Sequence, residues 1–292
     1  MFKRGAMTFS RSDADVFAPD GTPPEQALAR TTHLCVGAHQ DDIEIMAQAG
    51  IAACFGSTEH FFTGVVATDG AGAPRAGPAA ARDDATMRAV RRAEQRRAAV
   101  LGRYGLQLQL GHPSDAVRAT APEALRGDLA AIFGGCAALD TVYLHNPADK
   151  HDTHVAVLLR SLEALRSLPP ARRPRQLLGC EVWRDLDWLA DGDKVALDAG
   201  GDPALAAELL RAFQSQIAGG KRYDLAALGR RAANATFHAP READRFSAVT
   251  WAMDLTPLLA DDTLSVNALV QGHVDRLAAD IADRLRRMGA TS

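Results

Sequence analysis

Short apolar runs alternate with longer amphipathic stretches between Leu34 and Leu168. Unbroken apolar runs are typical of strands buried on both faces of a sheet, and they predict strands at 34–38, 61–68, 106–110 and 141–145. Helical spacing of apolar residues predicts helices at 43–54, 82–102, 124–133 and 155–168. This alternation indicates an α/β fold with a Rossmann-like, mostly parallel sheet that has helices on both faces.

The alternation is less regular on either side of this segment. Residues 1–30 are predicted to form an irregular N-terminal arm, and residues 31–292 a single α/β domain. That domain divides into a core at about 31–170 and a cap-like C-terminal extension at about 171–292. Within the extension we expect a strand at 177–183 and helices at 203–217 and 264–288. The apolar stripe of the last helix predicts that it packs against the domain.

Composition narrows the class of protein without naming a reaction. The 292 residues are 47% hydrophobic and 24% charged, as in an ordinary globular enzyme. A net charge of -3 gives no reason to expect a nucleic-acid partner. The four cysteines are widely spaced and are expected to be small buried apolar residues. We find no leader and no apolar run long enough to span a membrane, so we expect a cytoplasmic location and leave a homo-oligomer open.

The first cluster of candidate functional residues follows the first predicted strand. His39, Asp41 and Asp42 lie where that strand gives way to a helix, which is the usual position of ligand sites in open parallel sheets. Two adjacent carboxylates repel each other unless a positive charge lies nearby, and a divalent cation would supply one. The alternative is that one aspartate only caps the helix.

The second cluster, from His145 to His154, follows the fourth predicted strand. His151 and His154 are three residues apart at a helix start, so both can face one point. Histidine and carboxylate ligands suit Zn²⁺, and a catalytic zinc typically keeps three protein ligands and one open position. Each histidine alone is also compatible with an ordinary hydrogen-bonded role, but two such clusters at strand ends favour a metal site.

Two further segments are candidates for substrate contact. The segment 69–81 is rich in Gly, Ala and Pro and follows a strand, which predicts a mobile lid. The segments 181–188 and 219–224 combine aromatic and charged residues, among them Trp183, Lys221, Arg222 and Tyr223. They are typical of either a pocket wall or an exposed surface.

The two clusters resemble the motifs of the PIG-L/LmbE-like de-N-acetylases. That family carries A-H-P-D-D-E near its N-terminus and H-x-D-H in mid-chain. Here the first motif is Ala38-His39-Gln40-Asp41-Asp42-Ile43-Glu44 and the second is His151-Asp152-Thr153-His154. The segment Arg91-Arg92-Ala93-Glu94 is similar to the family's R-x-x-E helix, and the matching features extend from Leu34 to Leu165.

The resemblance implies a role for each matched residue. His39, Asp42 and His154 would bind Zn²⁺, or Fe²⁺ in its place. Asp41 would be the general base, and His151 would stabilise the oxyanion and donate a proton. The substrate would be contacted by Arg91, Asp115 and Asp69.

The sequence departs from the family pattern at several positions. Gln40 replaces the usual proline and is expected to change only the stiffness of the turn. Ile43 displaces the family's glutamate by one position, to Glu44, and the Gly-rich stretch of the family is replaced by residues 46–50. Thr153 replaces the aspartate that would orient His151.

These observations predict a metal-dependent hydrolase that removes the N-acetyl group of a small amino-sugar derivative, of the N-acetylglucosamine type. One alternative is an amidase of a larger N-acyl or thiol conjugate that uses the same metal centre. Another is a non-catalytic sugar-binding protein with a vestigial metal site. The chain lacks a G-x-G-x-x-G after its first strand and a G-x-S-x-G anywhere, which disfavours dinucleotide-dependent oxidoreductases and serine hydrolases.

Overall fold

The computed structural model describes residues 7–120 and 123–290. Eight strands form one sheet in the order β1-β4-β3-β2-β5-β6-β8-β7. Their bounds are β1 Asp15–Phe17, β2 His33–Gly37, β3 Phe62–Thr68, β4 Leu106–His112, β5 Thr141–His145, β6 Gln176–Cys180, β7 Lys194–Asp198 and β8 Val249–Asp254.

Twelve α-helices surround the sheet in the part of the chain that is described. They are α1 Pro24–Ala29, α2 Asp42–Met46, α3 Gln48–Cys54, α4 Asp84–Leu101, α5 Ser114–Arg118, α6 Glu123–Gly135, α7 Asp152–Arg166, α8 Pro203–Arg211, α9 Gln214–Ile217, α10 Tyr223–Phe237, α11 Pro257–Ala260 and α12 Val266–Arg287. The predicted α/β fold is confirmed.

The five central strands are parallel and run β4-β3-β2-β5-β6. The chain builds outward from β2 through β3 to β4, then returns to the other side of β2 to form β5. The strand order therefore reverses between β2 and β5, and such a switch point opens a crevice at the carboxyl ends of the strands. Both motif clusters lie at this crevice, because one follows β2 and the other follows β5.

The two faces of the sheet bury different sets of apolar side chains. On β2, Leu34 and Val36 belong to one hydrophobic cluster, whereas Cys35 belongs to the other. This alternation follows from the two-residue period of a strand. It explains why the strand is apolar at every position rather than at every second one. All four cysteines are buried and free, as the sequence predicted.

The prediction of an irregular N-terminal arm is wrong for part of its length. Strand β1 pairs antiparallel with β4 at the edge of the sheet, and α1 follows it. An edge strand of three residues is too short to produce an apolar period, and the ion pair between Arg96 and Asp15 helps to hold it in place. Residues 1–6 of the predicted arm lie outside the described residues.

The C-terminal extension is part of the same sheet as well as a set of added helices. Strands β6, β8 and β7 come from this segment, with β8 antiparallel to both of its neighbours. The predicted strand at 177–183 is β6, and the predicted helix at 203–217 divides into α8 and α9. Strands β7 and β8 and helix α10 were not predicted.

The final helix is partly buried and partly exposed. Val266 and Leu269 pack against the core, but Val274, Ile281 and Leu285 are 42%, 48% and 54% exposed. The expectation of a packing helix therefore holds for its first turns only. Among the described residues, no helix is long and apolar enough to cross a membrane.

Candidate metal centre and its cavity

The turn after β2 places the first group of functional side chains. Asp41 has a φ of 93°, in the left-handed region that non-glycine residues rarely adopt. The Asp42 carboxylate accepts a hydrogen bond from the backbone N–H of His39 at 2.7 Å, which closes the turn. Backbone strain of this kind is retained where the surrounding structure fixes it, and it is concentrated at functional sites.

The end of β5 and the start of α7 place the second group. β2 and β5 pair in parallel with Cys35 opposite Tyr143, so the two strands end at the same edge of the sheet. His151 is the N-cap residue of α7, and its Nδ1 accepts the N–H of Thr153 at 3.3 Å. His154 lies in the first turn of the same helix and is fully buried.

These two groups bring three candidate ligands together. His39 Nδ1 lies 3.2 Å from His154 Nε2 and 3.4 Å from Asp42 Oδ2, and His154 Nε2 lies 3.4 Å from the same oxygen. A tetrahedral zinc with bonds of about 2.0–2.1 Å separates its ligand atoms by about 3.3–3.4 Å. The three atoms are therefore spaced as one face of such a tetrahedron, and the residues fit a metal ion.

A second group that could hold a metal consists of His145, Asp149 and His154. His145 Nε2 accepts the backbone N–H of Ala38 at 2.9 Å, and Asp149 accepts backbone N–H groups from His151 and Trp183. Because the single lone pair of His145 Nε2 is already used by Ala38, whereas a carboxylate oxygen such as that of Asp42 has a further lone pair, we assign the candidate metal site to His39, Asp42 and His154. Asp149 Oδ1 lies 3.5 Å from Nδ1 of His154, the ring nitrogen that does not face the other candidate ligands, and so orients this ring.

The electrostatics differ between the two adjacent aspartates. Burial opposes the charge of Asp42, but the histidines around it, His154 first and then His145, hold its pKa below the ordinary value. Burial raises the pKa of Asp41 to about 8, against the opposing effect of Arg91. Asp42 is therefore held in its charged form, whereas the Asp41 carboxyl group is suited to proton transfer near neutral pH.

Helix α4 supports the turn through polar side chains on its buried face. Met87, Arg91, Gln95 and Ala98 share that face and are all buried. Arg91 donates to the carbonyl and the side-chain oxygen of Gln40 and lies 3.5 Å from the Asp41 carboxylate. Gln95 Oε1 accepts the N–H of Asp41 at 3.4 Å. Arg91 therefore supports the turn and lines the cavity, and its predicted contact with the substrate stays a prediction.

The side chain of Gln40 makes hydrogen bonds that were not predicted from the sequence. Its side chain accepts from Arg91 and donates to Gln109 Oε1 at 3.3 Å. A proline at this position would have no side-chain donor or acceptor. The expectation that Gln40 changes only the stiffness of the turn is therefore wrong, because this residue connects the turn to α4 and β4.

The displaced glutamate does not reach the cavity. Glu44 is fully buried and accepts hydrogen bonds from Tyr104 Oη at 2.7 Å and Gln95 Nε2 at 2.8 Å. Burial raises its pKa to about 7. From α10, Arg231 donates to the carbonyl oxygens of Glu44 and Ile45, so α10 holds the end of α2. The helix predicted at 43–54 is interrupted at Ala47.

Thr153 replaces the family's aspartate but leaves His151 supported by the backbone. The Thr153 N–H occupies Nδ1 of His151, and Asp149 accepts the backbone N–H of His151 at 2.9 Å. In a neutral imidazole the proton then lies on Nε2. Thr153 Oγ1 accepts instead from Arg118 at 3.1 Å.

A cavity of about 620 Å³ opens above the three candidate ligands. His39, Asp41, Asp42 and His151 line its floor, and the loop residues Gly70, Gly72, Ala73 and Pro74 line one side. Another part of the lining, here called the wall, comes from Trp183, Lys221 and one face of α10, formed by Tyr223, Ala226, Ala227 and Arg230. Of the two interpretations left open for the C-terminal segments, the pocket wall applies to Trp183, Lys221 and Tyr223.

Three of the residues considered above do not line the cavity. Asp115 is exposed, and its carboxylate accepts the N–H of Ala116, whereas Ser114 and Arg118 of the same helix do reach the cavity. Asp69 accepts the N–H of Ala71 and lies 3.4 Å from Arg88. Arg222 pairs with Asp224. The predicted contact of Asp69 and Asp115 with the substrate therefore stays a prediction.

Sequence reasoning missed the residues that support the site from a distance. Gln95 has a signal in the sequence, because it continues the buried face of α4 four residues after Arg91. Asp149 also has one, since a carboxylate two residues before a histidine N-cap can bind its backbone. Arg118 and Arg231 have none, because their partners are far away in sequence.

Comparison with known proteins agrees with this fold. Among solved structures, the chain is similar to a conserved protein of Thermus thermophilus (18% identity, TM-score 0.58, covering 80% of this chain and 99% of that one). It is also similar to the N,N′-diacetylchitobiose deacetylase of Pyrococcus horikoshii (16%, 0.57, 76% and 84%) and the 4-carboxy-2-hydroxymuconate hydratase GalB of Pseudomonas putida (15%, 0.53, 77% and 96%). At these identities the likeness concerns the fold alone.

No curated protein sequence matches the chain significantly. The family model described as GlcNAc-PI de-N-acetylase, PIG-L, matches residues 34–165. That range contains β2, β5, the three candidate ligands and both motifs. The resemblance to the PIG-L family that the two motifs predicted is therefore confirmed over residues 34–165.

Proposed function

We propose that this protein is a zinc-dependent deacetylase that hydrolyses the N-acetyl amide of a small amino-sugar derivative. The observation that carries the proposal is the triangle of His39, Asp42 and His154 ligand atoms, with edges of 3.2–3.4 Å, on the floor of an open cavity. The match to the PIG-L family model and the structural similarity to a chitobiose deacetylase support the same reaction.

The division of labour follows from the residues around the triangle. A zinc ion bound there supplies a Lewis acid, which polarises a carbonyl oxygen and lowers the pKa of water. Asp41, adjacent to the ligand Asp42, accepts a proton from the water that attacks the amide carbon. Arg91 keeps the Asp41 carboxylate in place from 3.5 Å.

His151 acts on the other side of the amide. With Nδ1 occupied by the Thr153 N–H, its Nε2–H is the donor for the carbonyl oxygen as negative charge develops there. As the C–N bond breaks, the amine takes a proton from His151 Nε2, and the proton that Asp41 removed from the water restores that of His151. Asp149 fixes the position of His151 through its backbone N–H and also contacts His154, so the donor and the ligand share one support.

The cavity has room for more than one sugar ring. Its 620 Å³ lies in the range of about 300–1,000 Å³ found for sites of drug-sized ligands. A longer acyl group or a conjugated substituent would therefore fit, which keeps the amidase of a larger N-acyl or thiol conjugate as the second candidate.

The test combines metal content with release of free amine. Purified full-length protein should hold about one zinc per chain and release amine from N-acetylglucosamine or one of its 1-phosphate, 6-phosphate, 3-O-lactyl or glycoside derivatives. A chelator should abolish release, and zinc should restore it. Release that persists without metal would contradict the metal mechanism. Sugar binding with no release from acetyl or longer acyl substrates would instead indicate a non-catalytic binding protein.

A further inference from the structure

The cavity carries an excess of positive charge that the proposed reaction does not use. Its lining includes Arg91, Arg118, Lys221 and Arg230, against only two carboxylates, Asp41 and Asp42. Arg91 lies 3.5 Å from Asp41, and these two charges offset each other. Three cations therefore face one remaining carboxylate, Asp42, which is a candidate metal ligand.

The three remaining cations have no carboxylate partner within 4.0 Å anywhere in the described ranges. Arg118 donates to the neutral hydroxyl of Thr153 at 3.1 Å. Arg230 donates to the carbonyl oxygen of Val182. Lys221 Nζ lies 5.0 Å from the centre of the Trp183 ring. Each contact fixes the position of a cation without neutralising it.

Cations on the neighbouring loop and in the first turns of α4 are arranged differently. Arg88 pairs with Asp69 at 3.4 Å, and Arg75 pairs with Asp84. The carboxylates of this part of the surface thus neutralise the loop and leave the cavity positive. A neutral ligand that filled the cavity would strip water from the three cations and return no charge, which is unfavourable. An anionic ligand would compensate for that loss.

We infer that the substrate of this cavity carries an anionic group, a carboxylate or a phosphate, and that Arg118, Lys221 and Arg230 bind it. The inference rests on the proposed function, because it names the substrate class of the same site. The ring of Trp183 lies 6.5 Å from that of His151 and 5.0 Å from Lys221 Nζ, and Arg118 donates a hydrogen bond to Thr153, two residues after His151. The cations are therefore close to the reaction centre.

Binding of amine products tests the inference without any turnover. Wild-type full-length protein is titrated calorimetrically with glucosamine, glucosamine 1-phosphate, glucosamine 6-phosphate and muramic acid, which share one ring and place the anion at three positions. At least one anionic probe should bind tenfold or more tightly than glucosamine. The tighter class, phosphate or carboxylate, identifies the anion. The preference should shrink as salt rises from 0.05 to 0.5 M, because the cations are partly solvent-accessible (~14 Å falling to ~4 Å in screening length).

Variants connect the preference to the named residues. Arg118→Gln, Lys221→Gln and Arg230→Gln should each reduce the preference for the anionic probe severalfold and leave glucosamine binding within about twofold. Arg97→Gln, on an exposed position of α4, is the matched control and should change neither. Equal binding of all four probes, or a preference that survives the triple substitution, overturns the inference.

The experiments can reject the proposed function without rejecting this inference, and can reject the inference without rejecting the function. A preference for anionic probes without amine release from any N-acyl substrate would leave the anion site in place and reject the deacetylase. Efficient amine release from neutral sugars with no anionic preference would do the reverse.

Discussion

The floor and the wall of the cavity differ in how deeply their side chains are buried and in how far their charges are compensated. On the floor, Asp41 and Asp42 are buried. Asp41 contacts side chains of α4, and Asp42 contacts histidines of β5 and α7. On the wall, Trp183 is 37% exposed, and the cations nearby have contacts that leave their charge uncompensated. Fixed geometry suits the chemical step, and an open charged surface suits recognition. The difference indicates that reaction type and substrate choice are located in separate parts of the chain.

The largest expected effect comes from removing a floor residue that would bind the metal. Asp42→Ala should lose bound zinc and activity together, because it removes a ligand and also the carboxylate that closes the turn onto the N–H of His39. Elemental analysis and amine release measure both. Asp280→Asn, on the exposed face of α12, is the control. Retained stoichiometric zinc in Asp42→Ala would show that the ligands are assigned wrongly.

The next effect separates chemistry from metal binding on the same floor. Asp41→Asn keeps the shape of the side chain but cannot accept a proton, so zinc should remain while turnover falls by roughly 10²–10⁴-fold. His151→Ala should behave in the same way, since it acts on the oxyanion and the leaving group. Metal content and turnover are measured in parallel. Full activity of Asp41→Asn would mean that another group deprotonates the water.

A smaller effect tests the contact between α10, which forms part of the wall, and α2, which carries the floor residue Asp42. Arg231→Met removes the guanidinium that binds the carbonyls of Glu44 and Ile45. Loss of their donor in a buried site should cost about 1–3 kcal/mol. The change is read from the shift of the urea unfolding midpoint at constant slope. Arg97→Met serves as the exposed control, and equal midpoints for both variants would show that the floor does not depend on α10.

The smallest effect concerns a third part of the cavity lining, the loop that follows β3. The loop at 69–81 contributes Gly70, Gly72, Ala73 and Pro74 to the lining, and we expect it to close over bound ligand as a lid. Hydrogen exchange with and without ligand should show added protection in this loop and little change in β2 or β5. Unchanged exchange in the loop would mean that the cavity is preformed.

Much of the floor was predictable because its signals are local. The apolar run of β2, the adjacent aspartates and the i, i+3 histidines of α7 all lie within short stretches of sequence, and the sheet brings strand ends together by topology alone. The short edge strand β1 and the partly exposed strand β7 were missed, because such strands produce no strong period. Strand β8 is six residues long and mostly buried, so the sequence did carry a signal for it at 249–253.

The sequence by itself determined the α/β class, the candidate metal ligands and the residue types available for hydrolysis. Only the tertiary structure decided which groups support them. Gln40 became a bridge to α4 because Arg91 and Gln109 converge on it, and Asp149 took a supporting role that no motif assigned. The charge of the cavity was also decided there. It depends on which cations find carboxylates in space, and Arg118, Lys221 and Arg230 meet a hydroxyl, a ring and a carbonyl instead.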